Sequence, residues 1–177
     1  MNAPATPEPL IRRAQADDAD ALAALGADTF VATFGHLYAA QDLQAFLADT
    51  HTRAAHLQLL RDPAQPVWVA ADDAGRLLGY VGAGPCKLPV DPLPPRAGEI
   101  RRLYVRAEAQ GRQLGSRLLQ TALDWLQAQA MQPVFVGVWS ENTDAQRLYA
   151  RFGFGQVGEY EFPVGAQRDR EFILRRG

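Results

Sequence analysis

The segment "EIRRLYVRAEAQGRQLGSRLLQ" (99–120) runs an apolar strand almost directly into an amphipathic helix. A helix that starts this way leaves its first N–H groups without intrahelical partners. Those groups, together with the helix dipole, form a site for an anion. Gly111 and Gly115 remove side chains where a large anion approaches the backbone, and Arg112 adds positive charge. The ligand implied is a phosphate or pyrophosphate. A tight turn with close helix–sheet packing explains the two glycines equally well on the motif alone. A Walker loop is excluded, because three residues rather than four separate the glycines and Ser116, not Lys, follows the second. "GAG" at 82–84 runs into Pro85 instead of a helix, so it is no dinucleotide fingerprint.

The surrounding pattern alternates strands and helices. "PLIRRA" (9–14) reads as a first strand. Asp17 and Asp18 then open a helix in which Ala21, Leu22, Leu25, Thr29 and Phe30 recur at helical spacing. Helical pieces follow at 41–49 and 52–62, and 67–84 reads as a hairpin turning at Asp73–Gly75. Five prolines in 85–98 rule out a central strand there. After the strand 99–105 comes a helix to about Met131, then a strand at 134–139. Residues 140–154 read as a helix closed by Gly153 in a left-handed conformation. Two last strands, 156–162 and 169–175, are separated by "PVGAQR". This order predicts an α/β fold, a mixed sheet of six to seven strands with helices on both faces.

With 177 residues, the chain fits a single domain over 9–177 behind a loose Pro- and Ala-rich tail at 1–8. A net charge of −2 with no basic stripe argues against nucleic-acid binding. The first residues lack the basic and apolar regions of a signal peptide, and no apolar run is long enough to span a membrane. A lone cysteine, Cys86, fits a reducing cytoplasm.

Two motifs carry a family resemblance. Gln110 and Gly115, flanked by "YV" and "SRLL", resemble motif A of the GNAT superfamily of acetyl-CoA-dependent N-acetyltransferases, [R/Q]-x-x-G-x-[G/A], with Gln113 in place of the first expected glycine. "NTDAQRLYARFGF" resembles the family's N-x-x-A-x-x-[L/F]-Y-x-x-x-G-F. The likeness extends from about residue 9 to 175. The edge segments 29–47 and 158–174 resemble bacterial polyamine or diamine acetyltransferase-like members.

The resemblance implies a GNAT fold, mostly antiparallel, that moves acetyl from acetyl-CoA to a primary amine by direct attack and uses no metal. It implies that Gln110, Gly111, Arg112, Gln113, Leu114, Gly115 and Ser116 cradle the pyrophosphate, with Gln113 helical. Leu103, Tyr104 and Val105 would bond the pantetheine through their backbones, with an N–H near Val105 holding the oxyanion. Tyr149 would protonate the leaving thiolate; its alternative role is packing in the stripe of Ala145, Leu148 and Phe152. Asn142 would bond the coenzyme or else cap its helix, a task Ser140 could also perform. Glu99 is the candidate base for the amine, weighed evenly against a solvated strand-end charge. Gly137 stands where some protein-acetylating relatives carry Glu.

His36 is placed at the border of the acceptor pocket, while Asp28, Glu159 and Glu161 read as surface charges. Cys86 has no His nearby in sequence, so an acetyl-cysteine route is set aside. The expected acceptor is a small polyamine-like amine, acted on by a monomer or homodimer. Its rivals are a protein N-terminus or lysine, and a non-catalytic acetyl-CoA sensor.

Overall fold

A computed structural model describes residues 7–177. The strands are β1 (Leu10–Arg13), β2 (Val67–Ala71), β3 (Leu77–Pro85), β4 (Gly98–Val105), β5 (Val134–Trp139), β6 (Gly155–Val164) and β7 (Gln167–Arg176). They form one sheet in the order β1-β2-β3-β4-β5-β7-β6, antiparallel except for β4 against β5. The helices are α1 (Ala19–Phe34), α2 (Ala40–Thr50), α3 (Arg53–Leu60), α4 (Leu114–Ala128) and α5 (Thr143–Arg151). One core lies under α4 and α5, built on Leu118, Leu119, Ala122, Leu126, Val136, Val138 and Tyr149. Two more lie on the opposite face, joining Leu22 and Leu25 to Val69 and Tyr80, and Phe30 and Phe34 to Tyr38 and Val164. The expected mixed sheet with helices on both faces is what forms.

Some boundaries differ from the sequence reading, each for a physical reason. The expected six-residue loop "PVGAQR" shrinks to a two-residue turn. Gly165, at φ +55°, takes the first turn position, where tight hairpins favour glycine. Pro163 therefore sits inside β6 opposite Arg168, tolerated because β6 is an edge strand. Glu8, read as part of the tail, is ion-paired to Arg117 at 3.0 Å; the rest of the tail reading falls mainly on residues 1–6, outside the described residues. No helix among the described residues is long and apolar enough to cross a membrane.

Two irregularities shape the centre of the molecule. Opposite Val81, β4 carries two residues, Arg102 and Leu103, and Arg102 has φ +51°. This bulge reverses the side-chain alternation of the strand. Ile100 before it and Leu103 and Val105 after it all face the α4 side, while Tyr104 crosses to the α1 side. In addition, β4 pairs with β5 only over Gly98–Ile100, so beyond Ile100 the two strands part.

Helix α5 ends in a Schellman motif. Phe154 N–H donates to Tyr149 O (3.1 Å), Gly153 N–H donates to Ala150 O (3.0 Å), and Gly153 has φ +84°. The ring of Phe154 packs edge-on against Tyr149, centroids 5.7 Å apart. A Cβ at residue 153 would meet nothing within 4 Å, so Gly153→Ala isolates the backbone cost. That substitution should lower unfolding free energy by about 1–2 kcal/mol, the penalty of a left-handed non-glycine residue. Urea denaturation at constant m-value measures it, and an unchanged midpoint would show that the cap does not require glycine.

Candidate functional site

Where β4 and β5 part, two cavities approach each other from opposite sides. The first is a groove of about 610 Å³ lined by α1, the end of β4, the start of α4 and α5. The second, of about 500 Å³, lies among α1, α2, the loop at Leu88 and strands β4 to β7. Both are lined by Leu103, Tyr104, Asn142, Ala145 and Tyr149. A ligand in one and a ligand in the other would meet there.

Every expected cofactor residue except Arg112 lines the first groove: Leu103, Tyr104, Val105, Gln110, Gly111, Gln113, Leu114, Gly115, Ser116, Asn142 and Tyr149. Arg112 is exposed and outside the lining; Arg151, which the sequence reading did not single out, lines the groove instead. The expectation that Gln113 is helical is overturned. Gln113 has φ 58° and ψ 11°, the left-handed conformation, and forms the N-cap of α4 without a side-chain cap. This costs about 1–2 kcal/mol that glycine would not incur, and it turns the chain sharply into the helix.

The intrahelical ladder of α4 begins with Arg117 N–H donating to Gln113 O at 3.0 Å, so the amides of Leu114, Gly115 and Ser116 are the donors a helix start leaves free. No acidic residue occupies the first turn to compete with an anion. A Cβ on Gly115 would lie 3.6 Å from Leu148 and 3.8 Å from Val105, ordinary contacts. The packing there does not demand glycine, which favours the anion explanation for Gly115.

The backbone of β4 is shared unevenly. Arg106 N–H donates to Leu78 O at 2.8 Å, and antiparallel alternation then places Tyr104 in a bonded pair with Tyr80. Tyr104 therefore contributes its ring, not its backbone, contrary to expectation. Val105 lines the groove; its carbonyl accepts from Gln110 Nε2 at 3.1 Å, and in the same alternation its pair with Gly79 is the non-bonded one, so its N–H points away from β3.

Asn142 settles the capping question. Its Oδ1 accepts from Ala145 N–H at 3.1 Å, so Asn142 and not Ser140 caps α5. Asn142 also lines both cavities. Tyr149 is buried, and desolvation, then Tyr104 and Glu171, hold its hydroxyl protonated well above the ordinary phenol range. It stays protonated throughout the physiological pH range.

The second cavity has an aromatic wall formed by Phe30, Phe34, Tyr38, Phe46, Trp139 and Phe162. Glu99 reaches it, buried, with both oxygens engaged. Lys87 N–H donates to Oε2 at 2.7 Å, and Arg101 Nε lies 3.3 Å from Oε1. The proline-rich loop contributes Leu88. His36 is exposed beside the cavity, its ring edge-on to Trp139 at 6.2 Å. Asp28 and Glu159 are exposed and pair with Arg106 and Arg170, and Glu161 is exposed as well. Cys86 is buried, and that burial raises its thiol pKa.

Arg102, His51 and Glu171 are among the residues lining the second cavity that the sequence reading did not single out. Arg102 owes its position to the bulge, which no local pattern announces. His51 is held neutral, its pKa lowered to about 4 by burial, then by Arg102 and His56. Glu171 did leave a signal, since strand alternation puts Asp169 and Glu171 on the same face as buried Ile173.

Comparison with known proteins agrees with this geometry. Residues 29–154 match the model of the acetyltransferase (GNAT) family. An uncharacterized N-acetyltransferase of Mycobacterium tuberculosis is 30% identical over 163 residues, covering 90% of this chain and 97% of that protein. The L-methionine sulfoximine/L-methionine sulfone acetyltransferase of Pseudomonas aeruginosa is 30% identical over 129 residues, 71% of this chain and 73% of that one. Among solved structures, the PaiA N-acetyltransferase from Thermoplasma acidophilum in complex with coenzyme A superposes with a TM-score of 0.77 at 16% identity, covering 96% and 99% of the two chains.

Coenzyme A at about 100 times its Kd should stabilise the protein by about 2.7 kcal/mol, read as a rise in Tm. Gly115→Val should weaken that binding at least tenfold while leaving the unliganded Tm nearly unchanged, because a Cβ there makes only ordinary contacts and the residue lines the groove. Tight coenzyme binding by a folded variant would remove Gly115 from the phosphate site.

Proposed function

Since the chain belongs to the acetyltransferase (GNAT) family and is an acetyl-CoA-dependent N-acetyltransferase, we propose that it acetylates a small primary amine by direct attack across the opening between β4 and β5. The observation that carries this reading is the meeting of the two cavities at Tyr149. The coenzyme lies in the groove under the start of α4, with its pyrophosphate on the amides of Leu114 to Ser116. The N–H of Val105 holds the tetrahedral oxyanion. The amine enters through the aromatic cavity, and Tyr149 gives its proton to the departing thiolate.

Two acceptor chemistries fit the cavity. Its aromatic rings and the Glu171 carboxylate suit an ammonium group, which favours a diamine or polyamine. Arg102 supports a second reading. It lines the cavity, its guanidinium makes no ion pair among the described residues, and such a group suits an amine that also bears a carboxylate. The relative acting on L-methionine sulfoximine and L-methionine sulfone is consistent with the latter. The lone cysteine fits a reducing cytoplasm as the site of action.

A panel of a diamine, spermidine, several amino acids and an N-terminal peptide, assayed for thiol release, separates these readings. Highest kcat/KM on the diamine or spermidine supports the polyamine reading. Highest on amino acids, with loss on Arg102→Ala, supports the second. Highest on the peptide would overturn both. On the best acceptor, Tyr149→Phe should keep coenzyme affinity and lower kcat by about 10²–10⁴-fold. A fall of less than tenfold, with chemistry rate-limiting, would leave Tyr149 a packing residue.

A further inference from the structure

The attacking amine must lose a proton, because an alkylammonium is neutral in only roughly one molecule per thousand at pH 7. Three carboxylates lie at or beside the acceptor cavity, and their hydrogen bonds distinguish them. Glu99 accepts from the Lys87 amide and pairs with Arg101. Asp169 is buried and accepts from the Tyr38 hydroxyl on Oδ2 and from Gln167 Nε2 on Oδ1 at 3.2 Å. Glu171 accepts only from the Tyr160 hydroxyl, at 2.7 Å on Oε2, which leaves Oε1 open among the described residues.

The position of Glu171 is equally specific. It stands on β7 across from Trp139 of β5. Its Oε2 lies 3.3 Å from the point a Cβ on Gly137 would occupy, and the Tyr160 hydroxyl lies 2.5 Å from the same point. Any larger residue at 137 would displace the pair. Gly137 thus makes room for a carboxylate and phenol that reach over the strand next to the opening.

We propose that Glu171 is the base that takes the proton from the acceptor ammonium, with Tyr160 as the residue that positions its carboxylate. This rests on the acetyltransferase reading and deepens it. One ammonium proton passes to Glu171 Oε1, and the freed nitrogen lone pair forms the N–C bond to the acetyl carbon. The C–S bond then breaks with its electron pair going to sulfur, which takes a proton from Tyr149. The second nitrogen proton replaces that of Tyr149 through solvent, and Glu171 releases its own. One proton per turnover is set free.

Glu171 is suited to this exchange by its surroundings. Burial first, then Asp169, raise its pKa above the ordinary carboxylate range, while the Tyr160 hydrogen bond opposes the rise. Tyr38, Tyr104 and Tyr149 also face it and stay neutral, each raised in part by its charge. Across the cavity stand the Glu99–Arg101 pair, Arg102 and neutral His51. The base must be ionised to act, so activity falls as the pH drops through its raised pKa.

The test uses the best acceptor of the amine panel and a weakly basic analogue already neutral at pH 7. Glu171→Gln should lower kcat on the basic amine by about 10²-fold or more, leave coenzyme A binding intact, and lose much less on the weakly basic amine. Tyr160→Phe, which removes the bond favouring the ionised form, should move the acidic limb of the kcat profile to higher pH. Equal losses on both amines, or wild-type kcat in Glu171→Gln, would overturn the assignment. So would an unmoved limb in Tyr160→Phe, which decides the matter if Glu171→Gln does not fold. If the wild type releases no thiol with any amine, the transferase reading itself fails and this assignment falls with it; an active wild type confines failure to Glu171.

Discussion

The separation of β4 from β5 after Ile100 is the constraint on which the site depends. Parallel strands in register leave their backbones bonded and no passage between them. Here pairing stops after three residues, and two steps later the bulge at Arg102 turns β4 and reverses its faces. That reversal sends Tyr104 toward α1 and Leu103 and Val105 toward α4, so a single strand lines both cavities. A left-handed arginine costs about 1–3 kcal/mol and persists only where its surroundings enforce it.

The helices place chemistry at that opening by their ends. The start of α4 supplies free amides because Gln113, itself left-handed, turns the chain into the helix without capping it. The start of α5 is capped by Asn142, and its end is closed by Gly153 and Phe154. Tyr149 sits on this short helix between two fixed termini, with its ring against Phe154. A helix of nine residues has little stability of its own, so its caps and buried face hold the tyrosine in place.

The two sides of the opening differ in electrostatics. On the α4 side, backbone N–H groups and Arg151 face the groove, which suits an anionic ligand. On the α1 side, aromatic rings enclose a few titratable groups, and low polarity governs their ionisation. Burial keeps His51 neutral and Tyr149 protonated, and it raises Glu171. Glu99, engaged by Lys87 and Arg101, ties the proline-rich loop to β4.

The sequence by itself determined the order of elements and the abrupt passage from β4 into α4, and its likeness to the GNAT motifs singled out Asn142 and Tyr149. The first two rest on short-range rules, helical and strand periodicity and glycine at turns. Gly153 was readable as a left-handed cap for the same reason. Gln113 was misread as helical because nothing local requires a glutamine to adopt φ 58°; the turn into α4 imposes it. The surroundings of Glu99, Tyr104, Arg102 and Glu171 were decided only by tertiary structure. Glu99 acquires its partners from the loop 12 residues upstream and from Arg101 beside it. Tyr104 yields its backbone to β3 through a register that the bulge interrupts. Glu171 becomes a half-buried acid because β7 lies between β5 and β6, next to a glycine that leaves it space. A side chain's neighbours across a sheet depend on strand order and register, and those are long-range pairings that no window of sequence contains.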